Sequence, residues 1–237
     1  MESSTFIRPE KGAQLDLHVD ALAYGGNGIA RMEGYVVFVA GAIPGDHVRA
    51  VVTKRKRAYA EARTLEVLEP SPERIAPLAD HPGAPWQVLP YERQLAVKHE
   101  QVRDALTRIG HLDGYVLDEI VPAVAQWRYR NKLEYSFGTG DDGALVCGFH
   151  APGSWHEIVP VSDCLLASER SNAARDQVVA WCREQGLQAF DRRTHTGFLR
   201  NLVVREGRRS GELQVRLVTG PGELDGASLA AAVDCEG

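Results

Sequence analysis

"ALAYGGNGIARMEGYVVFVAGAIPGDHVRAVV", residues 21–52, decides the fold. Two turn signals, Gly25-Gly26-Asn27-Gly28 and Pro44-Gly45-Asp46, bracket a dense β-branched run from Tyr35 to Ile43. Gly and Asn tolerate the left-handed backbone of tight turns, whereas Val, Ile, Tyr and Phe fill strands. Upstream, "LDLHVDALAY" (15–24) alternates apolar and polar residues, and downstream "HVRAVVTKRKRAYAEARTLEVLE" (47–69) supplies two further strands. Short strands with turn signals about every ten residues predict a small closed or half-closed β-barrel of OB-like size over residues 15–68. "GGNGIA" is not a phosphate loop, because no helix follows it and its glycines do not fit GxGxxG; it reads as a β-turn.

Beyond the barrel, "EPSPER" (69–74) reads as a linker, since its prolines disfavour regular structure. Leu95, Val102, Leu106 and Ile109 recur at helical spacing and Gly110 follows them, which predicts a helix over 91–109. A second β region spans 127–161, with "APGS" (151–154) turning a hairpin. An amphipathic helix covers 168–185 and ends at Gly186, and a hairpin with the turn "GRRSG" covers 198–219. The expected organisation is a barrel domain over 1–70 and a mixed α/β central domain over 71–237, an α+β chain.

Charged residues make up 25% of the 237 residues and hydrophobic ones 44%, the composition of a globular protein with a sizeable core. No stretch approaches the roughly 20 apolar residues of a membrane span, and "MESSTFIRPEKGAQ" lacks the basic and apolar regions of a signal peptide. A soluble cytoplasmic protein with no membrane partner is expected. Four scattered cysteines without a CxxC argue against a disulfide framework.

The formal charge is −5, yet Lys54, Arg55, Lys56 and Arg57 stand side by side, followed by Tyr59. Binding follows local charge and not the total. Adjacent cations repel one another unless an anion relieves them, and such runs neutralise backbone phosphates while neighbouring aromatics stack on bases. The bland alternative is a solvated loop or a Lys-guarded edge strand.

"WRYRNKLEYSFG" (127–138) at strand period places Trp127, Tyr129, Asn131, Leu133, Tyr135 and Phe137 on one face, and Arg128, Arg130 and Lys132 on the other. The second face reads either as a solvated strand face or as a strip for phosphates. Asn131 is the odd polar member of the aromatic face, where an unsatisfied amide costs roughly 1–3 kcal/mol. Cys147, His150, His156 and Cys164 do not make a zinc site, because Cys147 and His150 are three apart on a strand and point to opposite faces. GxSxG, Walker and HExxH motifs are absent.

Taken in order, "ALAYGGNGIARMEGYVVFVAGAIPGDHVRAVV", "WQVLPYERQLAVKHEQVRDALTRIG", "YRNKLEYSFG", "GFHAPGSWHEIVPVSDCLL" and "LRNLVVREGRRSGELQVRLVT" resemble the bacterial RNA (uracil-5-)methyltransferases. The resemblance runs over nearly the whole chain. It implies an N-terminal TRAM domain, an OB-like RNA-binding barrel, and RNA as partner, with ribosomal RNA favoured over transfer RNA and no DNA specificity. With the charge pattern, RNA contacts are expected at Lys54, Arg55, Lys56, Arg57 and Tyr59 in the barrel and at Arg128, Arg130 and Lys132 in the central domain. Asn131 is added because the match covers its segment, although it defines no role for that side chain.

Many members of that family hold a [4Fe–4S] cluster on four cysteines. Here "PLADHPGAPWQ" (77–87) offers Ala79, His81 and Ala84 where cysteines are expected, and Cys164 is the single match, so no cluster is expected. The resemblance further implies S-adenosylmethionine, an attacking cysteine and a proton-abstracting carboxylate in a Rossmann-like domain. No glycine-rich cofactor turn is visible, and Cys235 lacks the Pro-rich setting of the nucleophile. The expectation is therefore a chain without the methyltransferase domain: the RNA-binding and substrate-positioning half of a 5-methyluridine methyltransferase, truncated, with no catalytic residue and no bound cofactor. A stand-alone TRAM-type RNA-binding or chaperone-like protein is the alternative.

Overall fold

The computed structural model describes residues 8–79, 81–151 and 153–233. Two compact units result, Met1–Asp80 with Ala84–Pro122, and His81–Gly83 with Ala123–Gly237.

In the first unit, β1 (Gln14–His18), β2 (Ala21–Leu22), β3 (Gly28–Met32), β4 (Tyr35–Ala40), β5 (His47–Arg55) and β6 (Tyr59–Glu69) form one sheet in the order β1-β5-β6-β4-β3-β2. The two edge strands are separated by only Val19 and Asp20. The first segment of chain therefore pairs with β5 at one end and with β3 at the other, and the sheet closes on itself. Alternation along the strands sends Leu17, Val37, Val39, Val48 and Val52 inward together with Ala30, Ala50, Ala60 and Ala62. Large and small side chains share the interior, which lets so small a barrel fill without voids.

Asp46, in the Pro-Gly-Asp turn, is fully buried. It accepts the Ile43 amide at 2.8 Å, the Ser71 amide at 2.9 Å, and Arg74 through Nε at 3.0 Å and Nη2 at 2.6 Å. The segment 69–74 is thus no free linker, as the sequence suggested, but is clamped to the barrel by a buried carboxylate.

The α1 helix (Tyr91–Asp104) and a five-residue π-helical continuation (Ala105–Ile109) occupy the expected span and end at Gly110. The unit boundary differs from the expected one at residue 70. Leu89 and, less deeply, Val97 pack with Leu22 and Ile43 of the barrel unit, so the helix belongs with the barrel. No residue of α1 is buried, and Val102 and Ile109 of its expected apolar face are exposed.

In the second unit, β7 (Lys132–Thr139), β8 (Leu145–His150), β9 (Ile158–Pro160), β10 (Leu199–Gly207) and β11 (Glu212–Thr219) form an antiparallel sheet in the order β11-β10-β7-β8-β9. On one face Leu133, Tyr135, Phe137, Cys147, Leu199, Leu202 and Val204 pack against Val178, Trp181 and Cys182 of α2 (Glu169–Glu184), flanked by Leu229 of α3 (Gly226–Ala232). Ser168 caps α2 by accepting the Ser171 amide at 3.0 Å, which satisfies one of the four free N–H groups at a helix start. The strand predicted to begin at Trp127 begins at Lys132. Residues 127–131 are irregular, with Arg128 in the left-handed region at φ 54°. Among the described residues no helix is long and apolar enough to cross a membrane.

Candidate nucleic-acid interface

The basic run forms the hairpin between β5 and β6. Lys54 and Arg55 end one strand, Lys56 to Ala58 make the turn, and Tyr59 starts the next strand. The turn is fixed by its backbone. The Lys56 amide donates to the Tyr59 carbonyl at 2.8 Å, and the Tyr35 hydroxyl donates to the Lys56 carbonyl at 2.8 Å. Lys54 Nζ lies 2.9 Å from Glu61, which raises its pKa through that hydrogen bond, and Arg55 lies 3.9 Å from Glu10. Among the described residues Lys56 and Arg57 are in no salt bridge and are exposed, so the unneutralised charge sits at the tip.

Tyr59 is half-buried and meets Phe38 edge to face, with centroids 5.5 Å apart and planes at 76°. Phe38 was missed in the sequence, although strand parity reveals it, since Val37 and Val39 point inward and Phe38 points out. Lys11 was missed too. The Gly12 amide bonds the Val52 carbonyl at 2.8 Å, which brings exposed Lys11 beside the end of β5.

The central-domain residues fall into different settings. The Arg128 guanidinium forks onto Asp163 at 3.1 and 2.9 Å and reaches the Ala167 carbonyl at 3.2 Å, while its amide bonds the Leu165 carbonyl at 2.7 Å. The hydrogen bond to Asp163 raises its pKa, and the side chain is a clamp on the 163–167 segment. Arg130 is half-buried and its amide bonds the Leu166 carbonyl at 3.0 Å. Asn131 is exposed and lies outside the strand, so the argument from a buried amide does not apply to it. Lys132 opens β7, 3.4 Å from Glu134.

Lys132 belongs to the sheet face opposite the helices. There Lys132, Arg205 and Gln214 stand in one row across β7, β10 and β11. Glu134, Val203 and Arg216 stand in the next row, and Ser136, Asn201 and Val218 in a third. All of these residues except Ser136 line a shallow cavity of about 420 Å³.

For a metal or cluster the donor set does not fit. His81, 5% exposed, holds its Nε2 3.1 Å from the fully buried Cys164 Sγ, occupying the place where the resemblance asks for a second thiolate. Among the described residues no three Cys, His, Asp or Glu side chains gather as a metal site. Burial pushes the Cys147 thiol up to about 12 and the Cys182 thiol up to about 11, so neither is a thiolate at neutral pH. Cys235 lies outside the described residues. Among the described strands the one parallel pairing is β4 with β6 inside the barrel, and no glycine-rich strand-to-helix turn suited to S-adenosylmethionine occurs, so no residue is assigned to that cofactor.

Residues 8–65 match the TRAM domain family. An uncharacterized RNA methyltransferase of Halalkalibacterium halodurans is 33% identical over 90% of this chain and 47% of the relative. One of Thermosynechococcus vestitus is 38% identical over 88% of the chain and 46% of the relative. Residues 8–65 thus carry a TRAM domain, and over about nine-tenths of its length the chain is similar to RNA methyltransferases. It also shares the fold of Pyrococcus abyssi tRNA (uracil-54, C5)-methyltransferase, solved in complex with S-adenosyl-L-homocysteine. The TM-score is 0.69 at 24% identity, covering 92% of this chain and 49% of that one.

The chain spans about half the length of the curated relatives it matches. These alignments correct the expectation of a fold lacking the methyltransferase domain and of a truncated RNA-binding half or a stand-alone binder. About nine-tenths of the chain is aligned with methyltransferases themselves and superposes on one. That expectation rested on the lack of a visible glycine-rich cofactor turn and on the setting of Cys235.

Proposed function

We propose that the protein containing this chain is an RNA uracil methyltransferase acting in the cytoplasm, with S-adenosylmethionine as methyl donor and C5 of a uridine as acceptor. The observation that carries this reading is the alignment of about nine-tenths of the chain with RNA methyltransferases. The fold shared with a tRNA (uracil-54, C5)-methyltransferase supports the acceptor base. S-adenosylmethionine supplies an electrophilic methyl group.

The part proposed for this chain's own side chains is to hold RNA. Lys56 and Arg57, unneutralised at the hairpin tip, engage backbone phosphates, supported by Lys54 and Arg55, while Tyr59 with Phe38 offers an aromatic edge for a base. Arg130, Asn131 and Lys132 add polar contacts from the second unit, and Arg128 orders the segment that presents them. Enzymes that act on a base must take it out of the stack, so grip on the flanking backbone is part of the chemistry.

The test is methyl transfer from labelled S-adenosylmethionine by the full-length protein, in parallel on ribosomal and transfer RNA. Label at uridine C5 in one of the two is expected, with ribosomal RNA favoured. The double variant Lys56→Ala/Arg57→Ala should raise the KM for RNA and leave that for S-adenosylmethionine unchanged. Absence of label in both RNAs overturns the reading.

A further inference from the structure

We propose that the outer face of β7, β10 and β11 is a second RNA-contact surface, which grips the phosphates of a single strand independently of base sequence. The proposal rests on the reading of the protein as an RNA enzyme. It assigns to RNA a face on which Lys132 was the sole residue so far considered.

The first argument is an electrostatic defect. Arg205, on the central strand of the three, stands directly across from Lys132 in register. Like charges directly opposite on a sheet are destabilising. Glu134, 3.4 Å from Lys132, offsets one of these cations, but among the described residues neither Arg205 nor Arg216 is in a salt bridge. Three cations thus share this patch with Glu134, and Glu212 holds the outward position of β11 one row beyond Gln214. The next carboxylate along β10, Glu206, is turned away to Ser168 and Ser171 of the helix side. An anion lying between Lys132 and Arg205 removes the repulsion, so the face is complementary to negative charge.

The second argument is shape and chemistry. Helices α2 and α3 cover the opposite face, and the outward residues frame a shallow cavity of about 420 Å³ and not an enclosed pocket. Gln214 and Asn201, whose Nδ2 also donates to Ser136 Oγ at 3.1 Å, flank the cations with amides suited to donate to phosphate and sugar oxygens and to accept from a 2′-hydroxyl. An open sheet surface of this kind suits an extended single strand. The outward positions of these strands hold no aromatic ring. Base stacking is therefore absent here, and the contact is with the backbone.

The experiment measures binding of an unstructured 20-nucleotide RNA to the 237-residue chain across a salt series. Three proteins are compared: wild type, Arg205→Gln/Arg216→Gln, and Lys56→Ala/Arg57→Ala. Each single-strand phosphate contact contributes about 0.7 to the log–log salt slope, so the Arg205/Arg216 pair should lower it by about 1.4. The loss should be the same for oligouridylate and for a mixed sequence. Thermal melting without RNA supplies a second readout, in which a fourth protein, the single variant Arg205→Gln, should melt no lower than wild type because a like-charge contact is relieved.

An unchanged slope for the Arg205/Arg216 variant, beside a reduced slope for the Lys56/Arg57 variant, overturns this surface and leaves the RNA reading intact. No binding by the wild type overturns both. Competition by poly-L-glutamate as strong as that by RNA would mark a general anion face and sink the commitment to RNA.

Discussion

Asp46 shows how one side chain joins parts of a chain that its neighbours in sequence do not explain. Burial alone penalises its charge, but hydrogen bonds from Arg74 and the amides of Ile43 and Ser71 outweigh that penalty and hold its carboxyl below the usual range. A carboxylate whose folded pKa is depressed stabilises the fold above its unfolded value of about 3.9, and this contribution fades as pH falls through the lower folded value. Asp46→Asn leaves the buried Arg74 contact without its counter-charge, at a cost of about 3 kcal/mol. Urea titrations at pH 7 should show that loss. Titrations near pH 3 should show a smaller gap between variant and wild type, since protonation has removed part of the same interaction. The sequence showed "PGD" only as a turn, because the partners of Asp46 lie up to 28 residues away.

At the scale of the element, the hairpin reading of the basic run follows from local chemistry alone. Val48, Ala50 and Val52 alternate inward, the cations interrupt the pattern, and Tyr59 to Ala62 resume it. The strand over 127–138 was half legible for the same reason. From Lys132 onward the period-two pattern matches the observed faces, with Leu133, Tyr135 and Phe137 inward. The same pattern continues back to Trp127 in sequence, but there the amides of Arg128 and Arg130 bond the 165–166 carbonyls, and no sheet neighbour pairs with them. Pattern cannot separate these cases, since a partner strand is what makes a strand.

Gly148 illustrates the same dependence. It reads as an unremarkable strand residue, yet a Cβ there would overlap the Val159 carbonyl of β9. Gly148→Ala should therefore destabilise by about 1–3 kcal/mol through forced displacement of that edge strand. A fall in Tm, with strand content retained by circular dichroism, is the expected observation. A variant that melts with wild type would show that β9 gives way at no cost.

Across the whole molecule, the order of elements was legible from residue 15 to 219, because turn glycines, β-branched runs and helical spacing are encoded locally. The division into units was not. The proline-rich 69–74 segment has the composition of a linker, and only its capture by Asp46, with the packing of Leu89 against Leu22 and Ile43, draws the boundary near residue 122. The residues proposed to contact RNA divide likewise. Sequence alone determined the cationic hairpin, since four adjacent like charges are conspicuous wherever the chain folds. It also determined the donor deficit at the cluster position, where a histidine and two alanines replace thiolates. Tertiary structure decided which cations are free. Arg128 is spent on Asp163, whereas Arg205 and Arg216, distant in sequence from the hairpin and from each other's row, are brought by β-sheet register onto one face with Lys132. The reason is physical: a charge is a property of its residue, but its neutralisation belongs to whatever the fold places within a few ångströms of it.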